Sequence, residues 1–135
     1  MGDKETDSGH DANEVRYRHL IEHVHDAVVE FELIRGDPVV RDANDAFVDI
    51  FGYDAAELQG ESLNEWIVPE WRREESRRLD ARTASGEVSY RQVERKTAGG
   101  IREFLYRGIP YEHHAVGMDG LAIYTDLTDI TRQQR

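Results

Sequence analysis

The sequence predicts an α+β domain, with one five-stranded antiparallel sheet, short helices on one face of it and a further helix flanking it on the N-terminal side. Three observations predict this class. Two β-rich stretches precede and three follow a long helical block. That block is interrupted at Gly52, Gly60 and Pro69, so it reads as several short helices rather than one long one. Glycine-bearing turns between neighbouring strands imply hairpins, which are antiparallel by construction.

Each element has its own warrant. Residues 1–12 are polar, acidic and glycine-containing, and are expected to form a disordered tail. Over 13–25, Tyr17, Leu20, Ile21 and Val24 fall at i, i+3, i+4 and i+7, the stripe of an amphipathic flanking helix. Asp11 and Glu14 stand before it at capping-box spacing, with Asp in place of the usual hydroxyl. A strand over Ala27–Leu33, the turn Arg35-Gly36-Asp37-Pro38 and a second strand over Val39–Asp42 form the first hairpin.

Asn44 can cap the helix that follows, on which Phe47, Ile50 and Phe51 at i, i+3 and i+4 would face the sheet. Gly52 and Gly60 suit left-handed helix ends. The last helical piece, Glu70–Ala84, has little apolar content beyond Trp71, Leu79 and alanines. It carries Arg72, Arg73, Arg77, Arg78 and Arg82, and pairs Glu74 with Arg78 at i, i+4. Such a helix is expected to be mostly solvated, the alternative being a flap over a pocket. Strands over Val88–Thr97, Ile101–Glu112 and Gly120–Asp129 close the chain, with turns at Ala98-Gly99-Gly100 and Val116–Gly120.

Composition excludes several classes. At 135 residues the chain has the length of a single domain. Its 28 Asp and Glu outweigh 17 Lys and Arg, which argues against nucleic acid and anionic membrane as partners. Lys4 and Lys96 are the only lysines beside fifteen arginines, an acidic, lysine-poor balance that resembles proteins of salt-loving archaea. The absence of cysteine excludes disulfides, thiolate metal sites and cysteine nucleophiles. No stretch has membrane-spanning length and no apolar signal core precedes the domain, so a cytoplasmic location is expected.

The six histidines are His10, His19, His23, His25, His113 and His114. His23 and His25 diverge on a helix and His113 and His114 point oppositely on a strand, so no metal site is expected. No nucleophile, base and orienting group converge, and the chain is not expected to be an enzyme.

Taken in order, Tyr17-x-x-Leu20-Ile21-Glu22, Asp26-Ala27-Val28, Asn44-x-Ala46-Phe47, Gly52-Tyr53 and Glu57-Leu58-x-Gly60 resemble the PAS family of sensor domains. Pro69-Glu70, Gly86-Glu87, Pro110 and Asp129-Ile130-Thr131 continue the match, which covers roughly residues 16–132. The resemblance implies a PAS domain over 26–130 that holds a ligand between the inner sheet face and the helices. With the family register and period-two alternation, the candidate cavity residues are Val29, Phe31, Tyr90, Gln92, Phe104, Tyr106, Ile123 and Thr125 on the sheet. Phe47, Leu58, Leu63, Trp66 and Trp71 would close the helical side. A largely aromatic cavity of this kind suits a small aromatic or apolar molecule.

The resemblance also bears on cofactors and partners. No histidine lies between Asp26 and Glu112 to serve as the axial ligand of haem-binding relatives, and no cysteine can form the covalent flavin adduct or chromophore linkage of light sensors. No haem or covalently attached cofactor is therefore expected, while a non-covalent small molecule, non-covalent flavin among them, stays open although no specific flavin motif is present. Asp129, Ile130 and Thr131 resemble the family's signal exit, with 131–135 the start of an outgoing linker helix. That helix would lead to a histidine kinase or transducer in cis, in a two-component system of a haloarchaeon. The alternative is a ligand-free dimerisation and relay module. Its homodimer would use the N-terminal helix or the outer sheet face, where Leu105, Ile109 and Tyr124 would otherwise be exposed.

Overall fold

The fold is given by a computed structural model that describes residues 25–112 and 118–127. Five antiparallel strands form one sheet in the order β2-β1-β5-β4-β3, where β1 is Ala27–Ile34, β2 Asp37–Ala43, β3 Ser89–Thr97, β4 Gly100–Glu112 and β5 Met118–Asp126. Between β2 and β3 run α1 (Asp45–Phe51), α2 (Ala55–Leu58), α3 (Leu63–Ile67), a 3-10 turn (Glu70–Arg72) and α4 (Arg73–Ala84). The α+β class and the five-stranded sheet with short helices are as the sequence predicts. The acidic tail, most of the flanking helix and the exit Asp129-Ile130-Thr131 with 131–135 lie outside the described residues.

Local chemistry explains the joints. The first hairpin closes on two residues, Arg35 at φ 54° and Gly36 at φ 82°, and Asp37 already pairs with Ile34. Two positive φ values match the right-handed twist of the strands, which is why the turn is shorter than four residues. Asn44 caps α1 by accepting from the Phe47 N–H at 3.0 Å, and the same oxygen accepts from the Val28 N–H at 2.9 Å. Its amide donates to the Asp26 carbonyl at 2.9 Å, so one buried side chain ties α1 to the start of β1. Gly52 ends α1 at φ 78°, and a Cβ there would also stand 2.8 Å from the Ala98 Cβ in the β3–β4 turn. Both the backbone and the packing therefore ask for glycine.

The core fills the space between the inner sheet face and the helices. Phe51 stacks on Phe47 at 4.4 Å and on Phe104 at 4.9 Å between ring centroids, with Tyr124 edge-on to Phe51 and Phe104. Val29, Phe31, Leu58, Leu63 and Ile67 complete it, with Ile50 and Trp66 packed at its margin.

Two strands face opposite to the sequence reading. Tyr90 and Gln92 are exposed, Tyr90 at 67%, while Val93 and Arg95 point inward. The cause is the β3–β4 turn, which has two residues rather than three: Thr97 pairs with Gly100, so Val93 sits opposite Phe104. Directly opposed residues share a face, and one residue of turn length reverses a whole strand. On β5, Tyr124 pairs with Tyr106 and Ala122 with Val29, which puts Tyr124 in the core and turns Ile123 and Thr125 outward. Tyr124 is thus not part of the outer face, although half-buried Leu105, Ile109 and Ile123 are. Trp71, at 66% exposure on the 3-10 turn, does not close the helical side.

Candidate functional site

The helix richest in charge supplies the site. On α4, Ser76, Leu79, Asp80 and Thr83 fall at i, i+3, i+4 and i+7 and are all buried, while Arg77, Arg78 and Arg82 point to solvent. The burial is of a polar stripe, so the hydrophobic pattern used to detect an inward face missed it. The signal was present as small and polar residues at helical spacing opposite the arginines. The expectation of a mostly solvated helix holds only for its outer face.

Opposite this stripe stands Arg95 of β3, only 2% exposed. Its Nη1 donates to the Glu94 carbonyl at 2.8 Å, but its buried Nε has no hydrogen-bond partner. Asp80 accepts from the Asn64 amide at 2.8 Å, and Ser76 in turn donates to the Asn64 carbonyl oxygen at 3.1 Å. Asp80 and Arg95 form no ion pair within 4.0 Å; they face each other across a cavity of about 10 Å³. That is roughly the space of one water. Phe31, Leu63 and Leu79 form its apolar side, Tyr106 and Tyr124 its floor on β4 and β5.

Electrostatics follow from burial. Desolvation raises the Asp80 carboxyl to about 6, with the Asn64 hydrogen bond and the Arg95 charge opposing the rise and Asp37 adding to it. Desolvation also raises the Tyr106 and Tyr124 phenols, so both stay protonated hydrogen-bond donors at neutral pH. Tyr106 is held in place by a missing side chain: a Cβ on Gly108 would lie 2.3 Å from its hydroxyl oxygen.

The structure therefore divides the predicted site residues. Phe31, Leu63 and Tyr106 line the cavity. Val29, Phe47, Leu58 and Phe104 are buried in the packed core, and Trp66 meets Tyr53 edge-on at its margin. Tyr90, Gln92, Trp71, Ile123 and Thr125 lie away from the cavity. The polar residues that give it its character, Asn64, Ser76, Asp80 and Arg95, were not among those predicted. Among the described residues no group of three or more His, Cys, Asp or Glu is placed to hold a metal ion, and no helix is long and apolar enough to cross a membrane.

Fold and sequence together fix the class. A family model described as the PAS fold matches residues 21–135, and the chain belongs to that family. No match was found among curated proteins. Among solved structures, an RNA-binding Light-Oxygen-Voltage receptor superposes with a TM-score of 0.72 at 16% identity, covering 90% of this chain and 35% of that one. A domain of a sensory box sensor histidine kinase/response regulator from Geobacter sulfurreducens gives 0.67 at 19% identity, covering 84% and 94%. The PAS domain of a LuxR-family transcriptional regulator from Burkholderia thailandensis, solved in complex with ethanol, gives 0.62 at 25% identity, covering 83% and 97%. This chain is thus a PAS domain, and it shares its fold with domains of a sensor kinase and of a transcriptional regulator.

Proposed function

We propose that this PAS domain is a cytoplasmic sensor module that responds to a small polar molecule in the Asp80–Arg95 cavity. The observation that carries the reading is a pair of buried, oppositely charged side chains facing one void without touching. Burying charge is costly unless it is compensated, so such an arrangement is retained where a third group completes it. The ligand of this reading is polar rather than aromatic, because the aromatic rings are stacked on one another and the void is lined by Asn64, Ser76, Asp80 and Arg95. The PAS domain of the Burkholderia relative was solved in complex with ethanol, a small polar molecule. Binding would favour one setting of α4 against the sheet and pass the change to β5 and the segment beyond it, toward a kinase or transducer in cis. The module binds and relays and performs no turnover, and no haem or covalent flavin enters the reading. The likeness to a Light-Oxygen-Voltage receptor keeps a non-covalent cofactor within the test.

The test is native mass spectrometry and absorbance of protein from its own cytoplasm, with a melting-temperature screen of small polar molecules. A saturable rise in melting temperature that Arg95→Met removes supports the sensor. If no compound acts and Asp80 and Arg95 substitutions leave the receptor's output intact, the reading fails.

A second reading, a ligand-free homodimeric relay, is favoured by how little space the core leaves. Half-buried Leu105, Ile109 and Ile123 on the outer face would form its interface. Sedimentation of a Leu105→Glu variant separates the two, since only the relay requires that dimer.

A further inference from the structure

We propose that the cavity is a receptor site for a monovalent anion no larger than formate, held by Arg95 and taken up together with a proton on Asp80. The inference rests on the sensor reading and names the chemistry its site selects.

Three observations on the page carry it. Arg95 is a guanidinium with donors and no acceptor, and its buried Nε has no partner. What completes it must accept a hydrogen bond, and an anion does so most strongly. The void of about 10 Å³ is roughly the space of one water, so chloride or formate requires a small outward shift of the lining side chains. Phosphate, sulfate and organic acids with a carbon chain would require a far larger one. Tyr106 and Tyr124 line the same space, and a phenol can turn its O–H toward an anion.

Asp80 makes the site conditional. With Asp80 ionised, the interior already holds one negative charge against Arg95, and a second anion is repelled. With Asp80 protonated, Arg95 is left without a counter-charge, and a small anion supplies one. The groups facing this pair from the surrounding elements are few. Asp37 on β2 adds a negative charge felt by Asp80, and Asn64 on α3 donates to it. Ser76 and Thr83 on α4 are neutral, as are Tyr106 on β4 and Tyr124 on β5, whose phenols burial raises. Phe31 is all that β1 contributes. No other cation among the described residues lines the cavity, so one proton and one anion enter as a neutral pair. Because the Asp80 carboxyl stands at about 6, affinity should fall about tenfold per pH unit above that value.

The test uses the 135-residue chain with sodium chloride and sodium formate at constant ionic strength, gluconate serving as an anion too large to enter. Chloride-35 line broadening and melting temperature are followed at pH 5 and pH 8. The expected result is saturable broadening at pH 5 that drops by roughly a hundredfold in affinity at pH 8. Asp80→Asn should bind at both pH values alike, and Arg95→Met should not bind at either. Should Arg95→Met fail to fold, the loss of pH dependence in Asp80→Asn decides the matter. Broadening that is independent of pH in the wild type, or identical in chloride and gluconate, overturns the proposal. A melting-temperature rise with ethanol but none with chloride or formate overturns the anion while leaving the sensor standing. Anion binding whose loss does not change receptor output does the reverse.

Discussion

The Asn64 amide donates to the buried Asp80 carboxylate at 2.8 Å, joining α3 to α4 at the edge of the cavity. Without this donor the carboxyl would be held still further toward its neutral form, because desolvation is the larger force on it. The Asn64 donor thus offsets part of the desolvation that raises this buried acid.

Stability should record that acid. The folded carboxyl stands at about 6 against 3.8 for the free group, so between those values the folded state holds more protons than the unfolded one. Stability therefore falls as pH rises through this window and levels off above it. Two units correspond to about 3 kcal/mol. Denaturant titrations of wild type and Asp80→Asn from pH 4 to 8 should give a difference that shifts by up to about this amount, against the wild type, as pH rises. A flat difference would show that Asp80 titrates normally in the fold.

Asn44 is expected to be worth more than an ordinary cap. Asn44→Ala removes the cap of α1 and leaves the Val28 N–H without its acceptor. Cap loss costs about 1 kcal/mol and a buried unsatisfied donor about 1–3 kcal/mol. Asn44→Asp keeps the acceptor but sets a carboxylate oxygen against the Asp26 carbonyl in place of the donor, so it should lose stability too, though less than Asn44→Ala in urea titrations.

Gly108 and Tyr106 should behave as one unit. Gly108→Ala drives a methyl into the Tyr106 hydroxyl and should cost about 1–3 kcal/mol. Tyr106→Phe removes the atom nearest the new methyl, leaving the ring carbon at 2.9 Å. A double-mutant cycle should therefore show a favourable coupling, the pair losing less than the sum of the singles. Strict additivity would mean that the methyl is accommodated elsewhere.

The register of β3 and β4 can be checked by paired truncations. Phe104→Ala empties a fully buried aromatic site and should cost about 3–5 kcal/mol. Tyr90→Ala, on the solvated face, should stay within about 0.5 kcal/mol. Comparable losses at both positions would restore the opposite facing of β3.

Much of this protein is written in short-range chemistry. Asn44 before Phe47 and Phe51, and Gly52 just beyond them, determine α1 because capping and left-handed closure act within a few residues. The five strands and their hairpins follow in the same way from β-rich runs bounded by turn residues, and the ordered landmarks sufficed for the family. The absence of cysteine likewise excludes, by composition alone, any disulfide or thiol-linked adduct.

Which side of each strand meets the core was decided elsewhere. A β3–β4 turn of two residues instead of three moved Tyr90 and Gln92 out and Arg95 in, and nothing within β3 itself records that count. The cavity depends on still longer reach, since Asn64, Asp80 and Arg95 come from separate elements and each reads alone as an ordinary surface polar residue. Local sequence sets where helices and strands form, because their hydrogen bonds and caps are local. The facing of those elements, and so the site, is set by pairing between strands distant in sequence, where one residue of offset exchanges the core for solvent.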